Sequence, residues 1–598
     1  MGDMSNINSF REERRRPTQP IGKTLKRLWQ YLGVRRGRIV LALFLMLLCN
    51  LCSLAGPKLS GLAIDAIHFD MLPEELRHVA VLCAVMAALY LLSSLLSYLV
   101  ARLTLKISRD VAYGLRRDIF RHLLSLPVRY FDERQTGDIL SVISYDVDTV
   151  TNSLSTDILS VFTSLFTLAI SLLMMLSILP KLALVFLVTV PLTVLFTRWR
   201  NVRVRPLFRK RSRCLGEMNG YAEEMIGGQR TTRAYGQEEA VIAGFADVNK
   251  TASDAVFTAE RSGCVIGTGM NFINNLSLTL VSLFGGLLLL AGRAKLGDIS
   301  AFIQYSRKFT GPIGELGNIV GDLQSAAAAA ERVFALLDEA PEAADAPEAA
   351  ALADVQGDVR LQNVSFGYDP EQVVLRDLSL SAVPGSLVAI VGPTGAGKTT
   401  IINLLMRFYD IQSGAITVDG SDIYRVQRDS LRRAYTMVLQ ETWLFHGTVA
   451  ENIAYGSDHA SREDVIHAAK AAGIDGFIRR LPQGYDTVLD EGGTNVSKGQ
   501  KQMLTIARAM LADSKMLILD EATSNVDTQT EKKIQRTMRE LMRGRTCFVI
   551  AHRLSTIRHA DTILVVQNGS VVEQGRHEDL MAQNGAYAAL YKAQFEVY

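Results

Sequence analysis

Several features are scarce in this chain, and each absence closes off a class of protein. Six cysteines are scattered over 598 residues, at Cys49, Cys52, Cys83, Cys214, Cys264 and Cys547. They form no framework of the kind that staples a small secreted domain. Cys49 and Cys52 make a C-x2-C, but it lies in an apolar run with no second pair. Small residues on a membrane helix explain it more simply than a metal site. Charge of one sign is not in excess either. Sixty-four Lys+Arg against 61 Asp+Glu leave a net charge of +3, which gives no footprint for nucleic acid. The start carries Arg11, Arg14, Arg15 and Arg16 without an adjacent apolar core, so no secretory signal peptide is expected.

Apolar residues, in contrast, are plentiful at 48%, and they concentrate before residue 323. Six runs are long enough to cross a bilayer at about 20 residues each: about 38–60, 78–101, 155–178, 181–198, 264–292 and 297–322. Few charges fall mid-span, which argues against an ion-relay mechanism. Asn50, Asn271, Asn274 and Asn275 are polar positions in or near the spans. They suit either a cavity lining or helix–helix hydrogen bonds. Basic residues crowd segments 102–154 and 199–263, while the alternate connections are short and hold few. Both long segments and both chain ends are therefore expected on the cytoplasmic side. Ala112–Leu126 alternates at helical spacing. Each long segment thus reads as a helical hairpin reaching far past the membrane, with tips near Pro127–Gly137 and Ala234–Glu238. A bacterial inner membrane is the expected home.

The remainder has a different character. Residues 338–357 are acidic, rich in Ala and Pro and free of aromatics, a linker composition. From residue 358 short β-rich runs alternate with helical patterns, as α/β folds do. The expected organisation is a cytoplasmic segment at 1–37, a membrane all-α six-helix domain with long helical extensions at 38–337, a linker at 338–357 and an α/β P-loop ATPase domain at 358–598.

Gly392-Pro393-Thr394-Gly395-Ala396-Gly397-Lys398-Thr399 fits the phosphate-cradling G-x4-G-K-[ST] pattern. The apolar run SLVAIV precedes it and a helical run, KTTIINLLMR, follows. A strand feeding a Gly-rich turn at a helix N-terminus aims backbone N–H groups at phosphate. The site is expected to hold ATP with these residues and Thr400. Lys398 should reach the β- and γ-phosphates, and Thr399 should ligate Mg2+. Met516-Leu517-Ile518-Leu519-Asp520 supplies an acid at the end of an apolar strand for a second, water-mediated magnesium contact. Glu521 follows it, placed to orient or deprotonate an attacking water.

On these residues the C-terminal half resembles the nucleotide-binding domain of an ABC transporter, over 358–598. The resemblance implies that Tyr368 stacks on adenine and that Gln440 links the metal site to the membrane domain. It implies that Asp527 communicates across a dimer of such domains and that His552 contacts γ-phosphate. Val496-Ser497-Lys498-Gly499-Gln500 occupies the place of the family's signature, usually LSGGQ, which closes over ATP bound to the other subunit. The first half resembles the six-helix domain of the family's exporters, with PVRYFDERQTGDILS and RAYGQEE in the place of its two coupling regions. The 37 or so residues before the first span leave no room for the protease-like domain of some peptide exporters.

The signature departs from the family pattern. Lys498 stands where the family has glycine, and a side chain there alters the close approach of backbone to phosphate. With a complete P-loop in the same chain, this implies one half of a heterodimeric exporter. Its partner would carry an intact signature and lack an equivalent of Glu521. A symmetric homodimeric exporter or flippase, an importer built on the exporter fold (for a metal chelate, for instance), and a membrane ATPase that moves no solute are the alternatives. The substrate class stays open among drugs, lipids and peptides.

Overall fold

The computed structural model describes residues 27–28, 31, 36–67, 73–369, 372–439, 442–457, 459–520, 528–550 and 557–595. The chain divides into two compact units. One comprises residues up to Leu124 together with Thr136–Glu339; the other comprises Ser125–Gln135 with Ala340–Tyr598.

The first unit is helical. Its main helices are α1 (Arg36–Asp65), α2 (Pro73–Leu123), α4 (Thr136–Ile178), α5 (Pro180–Gly227), α7 (Glu238–Leu290) and α8 (Leu296–Leu337). Short helices lie between them at Val128–Asp132 (α3, in the second unit) and Gln229–Ala234 (α6). At about 1.5 Å per residue, the 51 residues of α2 run for roughly 75 Å. That is more than twice a hydrocarbon core, as the alternation in Ala112–Leu126 predicts. The chain turns between α6 and α7 at Tyr235–Gln237, with Gly236 at φ 61°.

Among the described residues, α1, α2, α4, α5 and α7 are long and apolar enough to cross a membrane. The sixth expected span lies within α8, which is long but more polar: Asp298, Arg307, Lys308, Glu315 and Asp322 all fall inside it. Its buried side, Ala301, Phe302, Tyr305 and Phe309, packs with Leu54, Met175 and Phe186. Lower down, Arg332 of α8 grips the buried carboxylate of Asp146 with two hydrogen bonds of 2.8 and 2.5 Å. Asp146 ends a π-helical turn at Val142–Asp146 within α4. Cys49, of the C-x2-C, donates its thiol to the Ser93 carbonyl at 3.3 Å, and Cys52 is buried.

The second unit is built on two main sheets. Its strands are β1 (Val359–Phe366), β2 (Leu375–Ala382), β3 (Leu387–Val391), β4 (Ser413–Val418), β5 (Ser421–Asp422), β6 (Tyr435–Val438), β7 (Gly447–Thr448), β8 (Val488–Leu489), β9 (Met516–Asp520), β10 (Thr546–Ile550), β11 (Thr562–Gln567) and β12 (Ser570–Gly575). One sheet runs β2-β1-β4-β5; the other runs β12-β11-β3-β10-β9-β6. In the larger sheet, β11, β3, β10, β9 and β6 are parallel, with β12 added antiparallel at one edge.

Its parallel strands read as unbroken apolar runs because both faces are covered. Ala389, Leu517, Leu519, Cys547 and Val549 enter one core, while Val388, Ile390, Ile518, Phe548 and Ile550 enter the other. Burial pushes the Cys547 thiol up to about 12, so it behaves as a small apolar residue rather than a nucleophile.

From Ala340 onward, the acidic stretch expected as a linker is pinned to the second unit. Glu342 pairs with Arg432 at 2.5 Å, Asp345 accepts from the Arg428 backbone at 3.1 Å, and Ala350 bridges to Val426. Composition alone does not reveal this, because the arginines lie more than 80 residues further along the chain.

Candidate nucleotide site

The P-loop follows β3 at the carboxyl edge of the parallel strands and runs into the helix Lys398–Leu405. Two of its glycines are needed where they stand. A Cβ on Gly392 would lie 2.2 Å from the Val566 carbonyl oxygen. Gly397 caps the helix at φ 100°, a left-handed conformation that side chains disfavour, and a Cβ there would meet Leu375 at 2.7 Å. Pro393, Thr394 and Gly395 form the exposed outer rim, whereas Ala396 is buried and anchors the turn.

Lys398 is nearly buried, and its ammonium donates to the carbonyls of Gly392 and Pro393 at 2.9 Å each. Its charge is thereby folded back over the loop, toward the space the loop encloses. Burial lowers its pKa, and the charge of Asp520 works in the opposite direction. The two groups that sequence spacing assigns to one site thus feel each other across more than a hundred residues. The register explains how: Asp520 pairs with Ile550 in β10, and Ile550 pairs with Ile390 in β3. Thr399 is exposed next to Lys398. The Thr399 hydroxyl and the half-buried Asp520 carboxylate are both oxygen donors, the kind a hard divalent cation takes.

Tyr368 stands over the same helix. Its hydroxyl lies 3.2 Å from Thr400 Oγ1 and accepts from Asn403 Nδ2 at 3.3 Å, and its ring stays 39% exposed. Edge-to-face packing holds the ring against Phe366 (5.0 Å between centroids) and Tyr409 (4.9 Å). An exposed aromatic face braced on its other sides is what base stacking needs.

Gln440, Glu521, Asp527 and His552 lie outside the described residues. Their nearest described neighbours are Leu439, Asp520, Thr528 and Ile550. Val438, Asp520 and Ile550 end parallel strands, so the chain sets out toward Gln440, Glu521 and His552 from the sheet edge that carries the P-loop.

The signature region starts the helix Lys498–Leu511. Ser497 and Gln500 form a capping box: Ser497 Oγ accepts from the Gln500 backbone at 3.3 Å, and Gln500 Oε1 accepts from the Ser497 backbone at 2.8 Å. Gly499 is buried, and Lys498 is exposed at the first helical position. A cation there opposes the helix dipole, so helix stability does not account for it.

One connection was not legible in the sequence. Tyr409, braced against Tyr368, donates its hydroxyl to Asp132 of α3 at 2.6 Å. Burial raises the Tyr409 pKa, and the neighbouring Asp132 carboxylate adds to the effect. Ser125 accepts from the Glu342 backbone at 2.8 Å in the same unit. The first expected coupling segment is therefore tied to the aromatic cluster of the nucleotide site. Tyr409→Phe is expected to loosen it: a lost bond to a carboxylate, about 1 kcal/mol at a partly exposed site, should raise amide exchange in Ser125–Gln135 about fivefold. Hydrogen-exchange mass spectrometry would read it, and unchanged exchange would remove the role given to this contact.

Comparison with known proteins shows the family. The description "ABC transporter transmembrane region" matches residues 39–313, and "ABC transporter" matches 375–524. The chain is 47% identical over 510 residues to the fatty acid ABC transporter ATP-binding/permease protein of Mycobacterium bovis, covering 85% of this chain and 80% of that one. It is 34% identical over 571 residues to the ATP-dependent lipid A-core flippase of Syntrophus aciditrophicus, covering 96% and 94%. A solved structure of a bacterial Atm1-family ABC exporter with ATP bound matches with a TM-score of 0.78 at 33% identity, over 94% of this chain and 99% of that one. The chain belongs to the ABC transporter family: it is an integral membrane protein with fused transmembrane and ATP-binding domains on the exporter fold, and it couples ATP hydrolysis to transport.

Proposed function

We propose that this chain is one half of a heterodimeric exporter of lipid-like amphiphiles, and that it supplies the hydrolytic half of the working ATP site. The observation that carries this is Lys498, exposed on the first turn of the signature helix in a chain whose P-loop is complete. The partner contributes an intact signature over this chain's P-loop. VSKGQ in turn closes a second, slow site on the partner. The names of the fatty acid transporter and the lipid A-core flippase support a lipid-like cargo.

In this reading Lys398 and the loop amides hold the phosphates, and Tyr368 holds the base. Thr399, Gln440 and Asp520 (the last by way of water) would hold Mg2+, which when bound would supply charge neutralisation to the phosphates. Glu521 takes the proton from the attacking water, and His552 holds the γ-phosphate. ATP binding draws the two ATPase domains together, with Asp527 communicating across them. The coupling segments turn that closure into outward opening, and hydrolysis resets it. Both termini lie in the cytoplasm of a bacterial cell, and the spans lie in its inner membrane.

The purified chain alone is expected to turn over ATP at least about tenfold more slowly than the pair, because a site without a proper signature loses donors aimed at the γ-phosphate. Phosphate release in proteoliposomes, with and without the co-expressed partner, checks this. Full transport-coupled turnover by the chain alone would instead establish a homodimer. Flux of labelled amphiphile in oriented vesicles separates export from import, and no flux at all would point to an ATPase that moves no solute.

A further inference from the structure

The helix that follows the P-loop, Lys398–Leu405, has the phosphate-binding turn at one end and an unusual stop at the other. Met406 caps it, and Arg407 follows at φ 49°, a left-handed conformation that residues with a Cβ avoid. Such a residue persists where its surroundings hold it. The Arg407 guanidinium is buried, donates to the Ile423 carbonyl at 2.9 Å and lies over the Tyr424 ring at 4.6 Å. The turn so fixed presents the carbonyls of Met406 and Arg407 to one side chain, Arg432, which donates to them at 3.3 and 3.1 Å. A cation at the carboxyl end of a helix also suits its dipole.

Arg432 stands in the last turn of the helix Arg428–Ala434, and its fork has a second use. It clasps both carboxylate oxygens of Glu342, at 3.0 and 2.5 Å. Arg428 adds to the grip, 3.7 Å from Glu342 and 3.5 Å from Asp345. Glu342 is the fifth residue beyond the end of α8 at Leu337. Its backbone N–H donates at 2.8 Å to the carbonyl of Ser125, where the segment Ser125–Gln135 begins. A line of hydrogen bonds thus runs from the carboxyl end of the P-loop helix through Arg432 and Glu342 to the start of that segment. The further part of the segment is held separately, by Asp132 on Tyr409. One line starts from the helix that carries the phosphate loop; the other starts from the ring cluster around Tyr368. Six of the eight residues of the P-loop helix are buried, so a shift at its first turn is passed to its last through close packing. A passive tether between two domains needs none of these contacts.

We propose that Glu342 is a positioning residue for coupling. With Arg432 it ties the start of Ser125–Gln135 to the carboxyl end of the P-loop helix, so that phosphate binding reaches this segment by a route separate from Tyr368, Tyr409 and Asp132. The route rests on the reading of Ser125–Gln135 as a coupling region, and it depends on neither the cargo nor the partner chain.

The test is hydrogen-exchange mass spectrometry on the full-length protein in phosphatidylcholine nanodiscs, with and without saturating AMP-PNP and Mg2+. Peptides over Ser125–Gln135 report the segment, and peptides over Gly392–Leu405 report nucleotide binding. In the unmodified protein AMP-PNP should slow exchange in Ser125–Gln135 about fivefold. Glu342→Gln should cut that slowing to less than about twofold, the scale of one partly exposed ion pair, while protection of Gly392–Leu405 stays. Arg432→Gln should do the same, and the double variant should be no worse than either single one, because both act in one line. Arg432→Lys, which keeps the charge and loses the fork, should retain part of the response. Tyr409→Phe should loosen the segment without nucleotide yet keep a response to AMP-PNP of at least about twofold. A response that survives Glu342→Gln would overturn the proposal. So would equal loss of protection at Gly392–Leu405, which would make Glu342 a mere support of the nucleotide fold, or no response in the unmodified protein. If Glu342→Gln fails to fold, Arg432→Lys, with every acid in place, decides: a full response there overturns the route. An intact route in a protein that moves no solute would contradict the coupling reading alone.

Discussion

Glu521→Gln is expected to lower steady-state ATP hydrolysis by about 10²–10³-fold while leaving ATP affinity within about twofold. The argument runs through β9. Four of its residues are fully buried between the two cores of the sheet, so the strand is a rigid support. Its last residue, Asp520, sits in register with Ile550 and feels the charge of Lys398. Glu521 follows Asp520 directly in the sequence, and we propose that it serves the phosphates held by the P-loop. A carboxylate there takes a proton from water; an amide of the same size holds the water but cannot accept the proton. Phosphate release by the assembled transporter, paired with equilibrium binding of labelled ATP, separates the two quantities. Turnover within about fivefold of normal would remove Glu521 from the base role.

Lys398→Ala should act on binding itself, weakening ATP affinity by about 10–100-fold, as expected for lost charge-assisted bonds in a mostly buried site. The ammonium at rest is satisfied by two loop carbonyls. Binding exchanges those dipoles for phosphate oxygens, so the side chain contributes most when nucleotide is present and little to the fold. Thermal stability without ATP should accordingly change little, and the stabilisation normally added by saturating ATP should largely disappear. Lys398→Arg is not expected to restore it, since a planar fork does not fit a cradle shaped for a point charge. An unaltered ATP-induced shift in Lys398→Ala would contradict this role.

The parts of the nucleotide site readable from the sequence are those whose neighbours lie close in the chain or in adjacent parallel strands. Gly392 to Thr400 is one continuous turn and helix start. Leu387–Val391, Met516–Asp520 and Thr546–Ile550 read as buried strands because no residue in their interiors needs water. The Tyr409 contact with Asp132 was hidden because it spans 277 positions and joins two unremarkable polar residues. The anchorage of residues 340–357 was hidden for the same reason: an acidic, Ala-rich stretch looks unstructured until the arginines that grip it are in place. Arg307 and Lys308 are a different case. They lie in the sixth apolar run, yet counting apolar residues averages over the helix and cannot say that Lys308 turns to Ser53 of α1 while Arg307 stays exposed. That required the packed face of α8.

The membership of Ser125–Gln135 in the C-terminal unit also has a consequence for biosynthesis. Asp132 leaves the ribosome long before Tyr409, which it must meet. At about 5–20 residues per second, the separation of 277 positions takes roughly 15–55 s to synthesise. For that interval the end of the first long hairpin has no seat, although the helices on either side of it can already be in the bilayer. The last step of assembly is therefore the capture of an early, waiting segment by a late domain, and a chain stalled before the strands of the ATPase sheet would present a free hairpin tip to quality control.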